Sequence, residues 1–388
     1  MVRFSDRIPD DLTPSALARA RERTGDVPFD LTISNPTRCG LPYPPGLLTP
    51  LASDEGLMHA PDPAGLPSAR RAVAADHARR GVEVDPERLV LTASTSEAYA
   101  LLFKLLADPG ESIAIPCPSY PLLQHLVALE GLEPLPYRLV AHDGFQPDAA
   151  ELARAAAAAR AIVVVHPNNP TGSYIAPDTA KRLLETCARQ DTALIVDEVF
   201  FDFPLGASTS NATSFAPNRG ALSFTLSGLS KQVGLPQLKL GWILVGGDPA
   251  VADRAIERLT FIADQYLSVA APVQLALESL LREGESVRVA ILERCRRNVE
   301  ALARAVDSAG AGVTLLRPAA GWNAVLRFPA IVDEEQLALE LLEQDGVAVH
   351  PGYLFDFETD GHVVLSLLPE PAVFDGGVLR LLQRLHTS

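Results

Sequence analysis

Cysteine clusters, positive charge, long apolar runs and lysine are all in short supply in this chain, and each shortage closes off a class of protein. The four cysteines, Cys39, Cys117, Cys187 and Cys295, stand far apart and form no CxxC or Cys/His group. Neither a disulfide framework nor a metal site is indicated. Acidic residues outnumber basic ones 48 to 33, a net charge of −15, and the arginines are dispersed along the chain. That balance argues against nucleic acid as a partner. No window approaches eighteen uninterrupted apolar residues, and the opening MVRFSDRIPDD lacks the apolar core of a leader peptide. The expectation is a cytoplasmic protein with no membrane partner. Lysine is the sharpest shortage, with four against twenty-nine arginines. Two of the four, Lys231 and Lys239, fall in one stretch, SGLSKQVGLPQLKLGW at residues 227–242, with no other charge between them. A deprotonated lysine amine attacks an aldehyde to form a Schiff base, which a guanidinium cannot do. Lysine at this place reads as chosen for its chemistry.

What is present is a repeated strand and helix pattern over an ample apolar content of 47%. The length exceeds one typical core, so a large domain over residues 49–284 is expected, with a smaller one from residues 1–48 and 285–388. Residues 13–24 read as an opening helix capped by Thr13, with Pro14 at its first position and Gly25 beyond its end. The Pro- and Gly-dense residues 30–50 read as an ordered crossing segment. Apolar strands follow at residues 88–92, 112–116, 161–166, 192–196 and 222–226, and a further one at 243–247. Helical stretches intervene at 98–107, 148–159 and 178–190. Near-continuous apolar strands alternating with helices indicate an α/β fold, a mostly parallel sheet sandwiched by helices. Past a long helix at 286–308, strands near 312–316, 324–327, 347–350 and 362–367 suggest a smaller α+β domain.

In such sheets ligands sit outside the carboxyl ends of the strands. Five successive strands here end in groups suited to a ligand. The first runs into Ala-Ser-Thr-Ser, which puts the backbone N–H groups of Thr95 and Ser96 at a helix start, a geometry that binds phosphate. The next ends in Cys-Pro-Ser-Tyr120, and the third in Pro-Asn-Asn-Pro-Thr-Gly172. The fourth ends in Asp197, and the fifth in the stretch that holds Lys231.

NNPTG at residues 168–172, DEVF at 197–200 and SGLSK with GW downstream carry a resemblance to the fold-type I, pyridoxal-phosphate-dependent aminotransferases of class I and II. It spans essentially the whole chain, from NPT at Asn35 to LSLL at Leu365. The resemblance implies roles. Lys231 would hold pyridoxal 5′-phosphate as a Schiff base (an aldimine) and then shuttle the proton. Asp197 would sit against the pyridine nitrogen and keep it protonated. Asn169 would bond the ring 3-oxygen, with Phe200 beside it, and Tyr120 would stack on the ring. Thr95, Ser96, Ser227, Ser230 and Lys239 would surround the phosphate. Asn35 lies in the segment that borders the substrate. A homodimer with shared sites is implied, His59 and residues 266–268 acting in the neighbouring subunit.

Four positions depart from the family pattern. Val364 precedes Leu365-Ser366 where an arginine commonly clamps the substrate carboxylate, and valine cannot do so. Either the clamp has moved, with Arg38, three residues after Asn35, the first candidate in preference to Arg327, or the amine handled is not a simple α-amino acid. His59 and Phe200 stand where tyrosines are usual, and Lys239 replaces an arginine, trading a fork for a point charge. Without a phenol at Phe200 the Schiff base should hold its proton to higher pH. The leading function is transfer of an amino group from an amino acid or related amine to a 2-oxo acid. The alternative is a lyase, decarboxylase or other chemistry on the same fold.

Overall fold

Runs such as Ala161-Ile-Val-Val-Val165 show no polar alternation, so they are stable only as strands covered on both faces. The computed structural model, which describes residues 3–206, 212–310 and 312–387, places them in the middle of one large sheet. In chain order the strands are β1 (Phe29–Asp30), β2 (Leu89–Thr92), β3 (Ser112–Cys117), β4 (Glu133–Val140), β5 (Gln146–Pro147), β6 (Ala161–Val165) and β7 (Ala193–Asp197). They continue with β8 (Ser223–Gly228), β9 (Gly241–Gly246), β10 (Thr314–Leu316), β11 (Asn323–Arg327), β12 (Val347–Ala348), β13 (His350–Pro351) and β14 (His362–Ser366). The large sheet has eight strands in the order β2-β9-β8-β7-β6-β3-β4-β5. Pairing is parallel from β8 through β7, β6 and β3 to β4, and every residue of β6 and β7 is buried.

Strand β9 runs antiparallel to both β2 and β8, with Gly241 opposite Thr92 on one side and Gly228 on the other. Its first residue therefore lies at the carboxyl ends of its neighbours, which brings Lys239 to the ligand edge from the wrong end of a strand. The approach of β8 and β9 there needs glycine. A Cβ on Gly228 would meet the Gly241 Cα at 2.9 Å.

A four-stranded antiparallel sheet, β10-β11-β14-β13, and the parallel pair β1-β12 make a second, smaller layer against the long helix Glu285–Ala309. Its core joins Leu326, Phe328, Val363 and Leu365 to Ile291, Cys295 and Leu302. Ser366 ties the N-terminal segment to it, its N–H donating to the Leu31 carbonyl at 2.7 Å and its hydroxyl to that of Ile33 at 2.6 Å.

Three expectations need correction. The opening helix is Ala16–Thr24, capped by Ser15, whose Oγ accepts from the Ala18 N–H; Thr13 and Pro14 precede it. A hydroxyl that reaches the third residue on outweighed the proline rule. The pair β4-β5 was not anticipated, because Pro134 and Pro136 interrupt the strand signal. They are tolerated near the sheet edge, where β5 reaches only Leu139 and Val140. The strand expected over 347–350 is two strands, β12 on β1 and β13 on β14, and the break turns His350 toward the large sheet's ligand edge.

Candidate active site

The carboxyl ends of the large sheet open into a cavity of about 470 Å³ between it and the smaller layer. Helix α1 of the site (Thr95–Leu106) begins three residues earlier than the periodicity predicted. Ser94 caps it, accepting from the Glu97 N–H at 3.1 Å, while Glu97 Oε2 accepts from the Ala93 N–H at 2.6 Å. This reciprocal cap fixes the chain where Thr95 and Ser96, in the first helical turn with its unsatisfied N–H groups, line the cavity. Ser268 donates to the same Glu97 carboxylate at 2.7 Å. Across the cup lie Ser230 and Lys239, the latter exposed and in a left-handed conformation at φ 50°. Hydroxyls, helix N–H groups and one ammonium make a site for a dianion.

Deeper in, Asp197 is buried at the end of β7. Its Oδ1 accepts from the Val199 N–H at 3.1 Å and its Oδ2 from the Tyr99 hydroxyl at 3.1 Å. Burial pushes this carboxyl up to about 6, against the pull of those two donors and of Lys231. Lys231, on the short helix Leu229–Gln232, points its amine over two aromatic rings, 5.2 Å from the Trp322 centroid and 5.7 Å from that of Phe200. Desolvation holds the amine below its ordinary value, with Asp197 opposing. Neither group has an ion-pair partner within 4 Å among the described residues. A buried carboxylate and a desolvated amine, both facing one cavity, fit a ligand that brings an aldehyde and a cationic ring nitrogen.

Asn169 is held by Asn323, whose Nδ2 donates to Asn169 Oδ1 at 2.7 Å, so the Asn169 amide N–H groups remain for a ligand oxygen. The NPTG turn that presents it is clamped. Gly172 has φ 69°, and a Cβ there would lie 2.4 Å from the Ala320 carbonyl oxygen. Tyr120, Val165 and Val199 line the same cavity.

Of the residues singled out from sequence, Thr95, Ser96, Tyr120, Asn169, Asp197, Phe200, Ser230, Lys231 and Lys239 line this one cavity. Ser227, Asn35, Arg38 and His59 do not. Ser227 is buried in β8, opposite Trp242. Asn35 folds its carboxamide back to accept from the Thr37 N–H and hydroxyl. Arg38 is exposed, and its side chain makes no ion pair or hydrogen bond among the described residues. His59 is exposed beside Tyr266, Leu267 and Ser268, in a separate shallow pocket.

Sequence reasoning missed Tyr99, Thr32, Ser34, Trp322, Asn323 and His350. The last five also line the cavity, Trp322 beside the Lys231 amine and Asn323 on Asn169, together with Leu122, Leu354 and Phe355. Val364 lies directly opposite His350 in the β13-β14 ladder and is fully buried beside Val325 and Phe355. Burial lowers the His350 imidazole pKa, with the Asp30 charge and the Thr32 backbone opposing. The available signals were faint: Tyr99 sits one helical turn past Ser96, and Trp322-Asn323 opens a strand.

The aminotransferase class I and II family model matches residues 45–371. The valine-pyruvate aminotransferase of Mycobacterium tuberculosis is 28% identical over 353 residues, covering 89% of this chain and 88% of the relative. The glutamate-pyruvate aminotransferase of Escherichia coli is 26% identical over 371 residues, covering 91% and 89%. Among solved structures, an alanine aminotransferase from Pyrococcus furiosus superposes over the full length of both chains, with a TM-score of 0.86 at 23% identity. These similarities favour amino-group transfer over the lyase alternative. With the match spanning most of the chain, this protein belongs to the class I and II aminotransferases, a pyridoxal-phosphate-dependent family.

Proposed function

We propose that this cavity holds pyridoxal 5′-phosphate and moves an amino group between an uncharged α-amino acid and a 2-oxo acid. The observation that carries this reading is the meeting of Asp197 and Lys231, unpaired and desolvated, on the walls of one cavity. When bound, the cofactor supplies an electron sink. The chain's own residues do the rest. Lys231 would hold the cofactor through its aldehyde and, once the substrate amine had displaced it, would be the base that moves the proton. Asp197, ionised, would hold a proton on the ring nitrogen. Asn169 would donate to the ring oxygen, Tyr120 would cover one ring face, and Phe200 would keep water from Lys231. Thr95, Ser96, Ser230 and Lys239 bind the phosphate, with Ser227 supporting the strand end behind them.

Beyond the residues assigned to the cofactor, the described lining of the cavity offers neutral groups, Thr32, Ser34, Asn323 and His350, whose pKa burial lowers, beside the apolar Leu122, Leu354 and Phe355. That lining supports a donor with an uncharged side chain, in keeping with the valine- and alanine-named relatives. Arg38 is our candidate for the substrate carboxylate, because it is exposed, unpaired and four residues beyond Ser34, with Asn35 shaping its turn.

A homodimer is part of the same reading. Leu57, Met58, Tyr266 and Leu267 are exposed large apolar side chains around His59, next to the helix start that would take the phosphate. Burial of that patch against a second copy would set His59 at the partner's site. Sedimentation of the holoenzyme as a monomer would remove this part. The two-domain division at residues 49–284 and a cytoplasmic location belong to the same proposal; the former is supported by the eight-stranded sheet falling inside those bounds and the four-stranded sheet and the β1-β12 pair outside them.

The test is spectroscopic. The coloured holoenzyme is mixed with a panel of amino acids and amines, and then with 2-oxo acids. Donor-dependent bleaching that reverses with an oxo acid supports the reading; bleaching accompanied by CO₂ or ammonia release contradicts it.

A further inference from the structure

Tyr99 is a fully buried phenol on the helix whose first turn presents Thr95 and Ser96. Nothing in the proposed chemistry uses it. A buried hydroxyl left without a partner is costly, so its placement needs a reason. Its hydroxyl donates to Asp197 Oδ2 at 3.1 Å and faces the side of Tyr120, while its ring packs on Phe103 at 5.7 Å between centroids. One side chain therefore holds the carboxylate beside the aromatic wall of the cavity. It does so from the same helix that forms the phosphate cup, three to four residues further on, which is one turn or about 5 Å along the axis. A shift of this helix would move both ends of the cofactor site together.

We infer that Tyr99 is a positioning residue that keeps Asp197 ionised and fixed in register with the phosphate-binding helix start. The inference rests on the proposed role of Asp197 toward the cofactor's ring nitrogen. The phenol donates to the carboxylate and so favours its charged form, working with the Val199 N–H against the burial that pushes Asp197 upward. Tyr99 itself remains a donor across the working range, because burial and the Asp197 charge both raise its pKa well above the ordinary value. No other charged side chain than Lys231 is found to act on Asp197 among the described residues. With only two donors holding this carboxylate, removal of one should be visible.

The experiment is cofactor binding to the apoenzyme as a function of pH, read by fluorescence quenching, for wild type, Tyr99→Phe, Tyr99→Met and Asp197→Asn. Circular dichroism and melting temperature monitor folding of each. Wild type should lose affinity as pH falls through about 6, the point at which Asp197 takes up a proton. Tyr99→Phe keeps the ring packing and removes only the hydroxyl; its acid midpoint should be about one unit higher, so its affinity should be about twofold weaker at pH 7 and about tenfold weaker at pH 5, the size expected for one hydrogen bond to a charge. Tyr99→Met, which also lacks the donor but has a different shape, should move the midpoint in the same direction. Asp197→Asn should flatten the acid limb. If Tyr99→Phe follows the wild-type profile while Asp197→Asn is flat, the inference is overturned and the functional reading stands. If only Tyr99→Met moves, the side chain acts by packing and the inference again fails. If Asp197→Asn retains the wild-type acid limb, the functional reading itself falls.

Discussion

Phe200 and Trp322 turn their rings to the Lys231 amine, and neither ring carries a hydroxyl. Asn169 is thus left as the residue of this cluster with free amide donors for an oxygen beside the amine. A phenol introduced by Phe200→Tyr would add a second donor there. The pH midpoint of the bound cofactor's visible absorbance should then fall by roughly one unit, as a donor to the ring oxygen favours its ionised form. An unchanged midpoint would place the ring oxygen elsewhere. Arg38 is open to an equally simple check. Arg38→Ala should raise KM for amino-acid donors about tenfold, the worth of a charge-assisted pair, without changing cofactor content. Unaltered KM for every donor would remove Arg38 from the substrate site and leave His350, Asn323 and Ser34 as the groups that face it.

At the scale of elements, the cavity is made by strand ends, and these were legible because buried parallel strands are apolar up to the residue where they stop. Asp197 after Val196 and Asn169 after the Ala161–Val165 run stand out for that reason. The far wall was not legible. His350 reaches the cavity only because the chain breaks between β12 and β13, and Tyr99 matters only through a carboxylate 98 residues away. Neither is a property of a local window. Proline hid β4, and a serine two residues on from Thr13 took the helix cap. The NPTG turn gives a prediction at this scale. Gly172 combines a left-handed backbone with contact against Pro318 and the Ala320 carbonyl, so Gly172→Ala must both strain the turn and push the two layers apart. A loss on the order of 2–4 kcal/mol in urea unfolding is expected. Retention of full stability would show that the layers do not close as described.

For the molecule as a whole, the buried carboxyl next to the active one sets a pH dependence. Glu198 accepts from the Ser214 hydroxyl and the Phe215 N–H, each at 2.7 Å, yet burial pushes it up to about 7, with Arg80 pulling the other way. Its folded value lies above the ordinary 4.5, so the folded chain holds a proton that the unfolded chain has lost. Stability is therefore full below about 4.5 for this group and declines as pH rises through about 7. Glu198→Gln should remove that decline, by on the order of 3 kcal/mol between pH 5 and 9 in urea unfolding of the apoenzyme. Parallel curves for the two proteins would mean that Arg80 dominates over burial.

The proposed activity depends on one bond, between Lys231 and the cofactor aldehyde. Reduction of the holoenzyme with borohydride followed by peptide mass analysis tests it directly. A cofactor adduct on the peptide bearing Lys231, absent in Lys231→Ala, is the predicted result. An adduct on Lys239 instead, or an unmodified Lys231 in enzyme that still transfers amino groups, would contradict it.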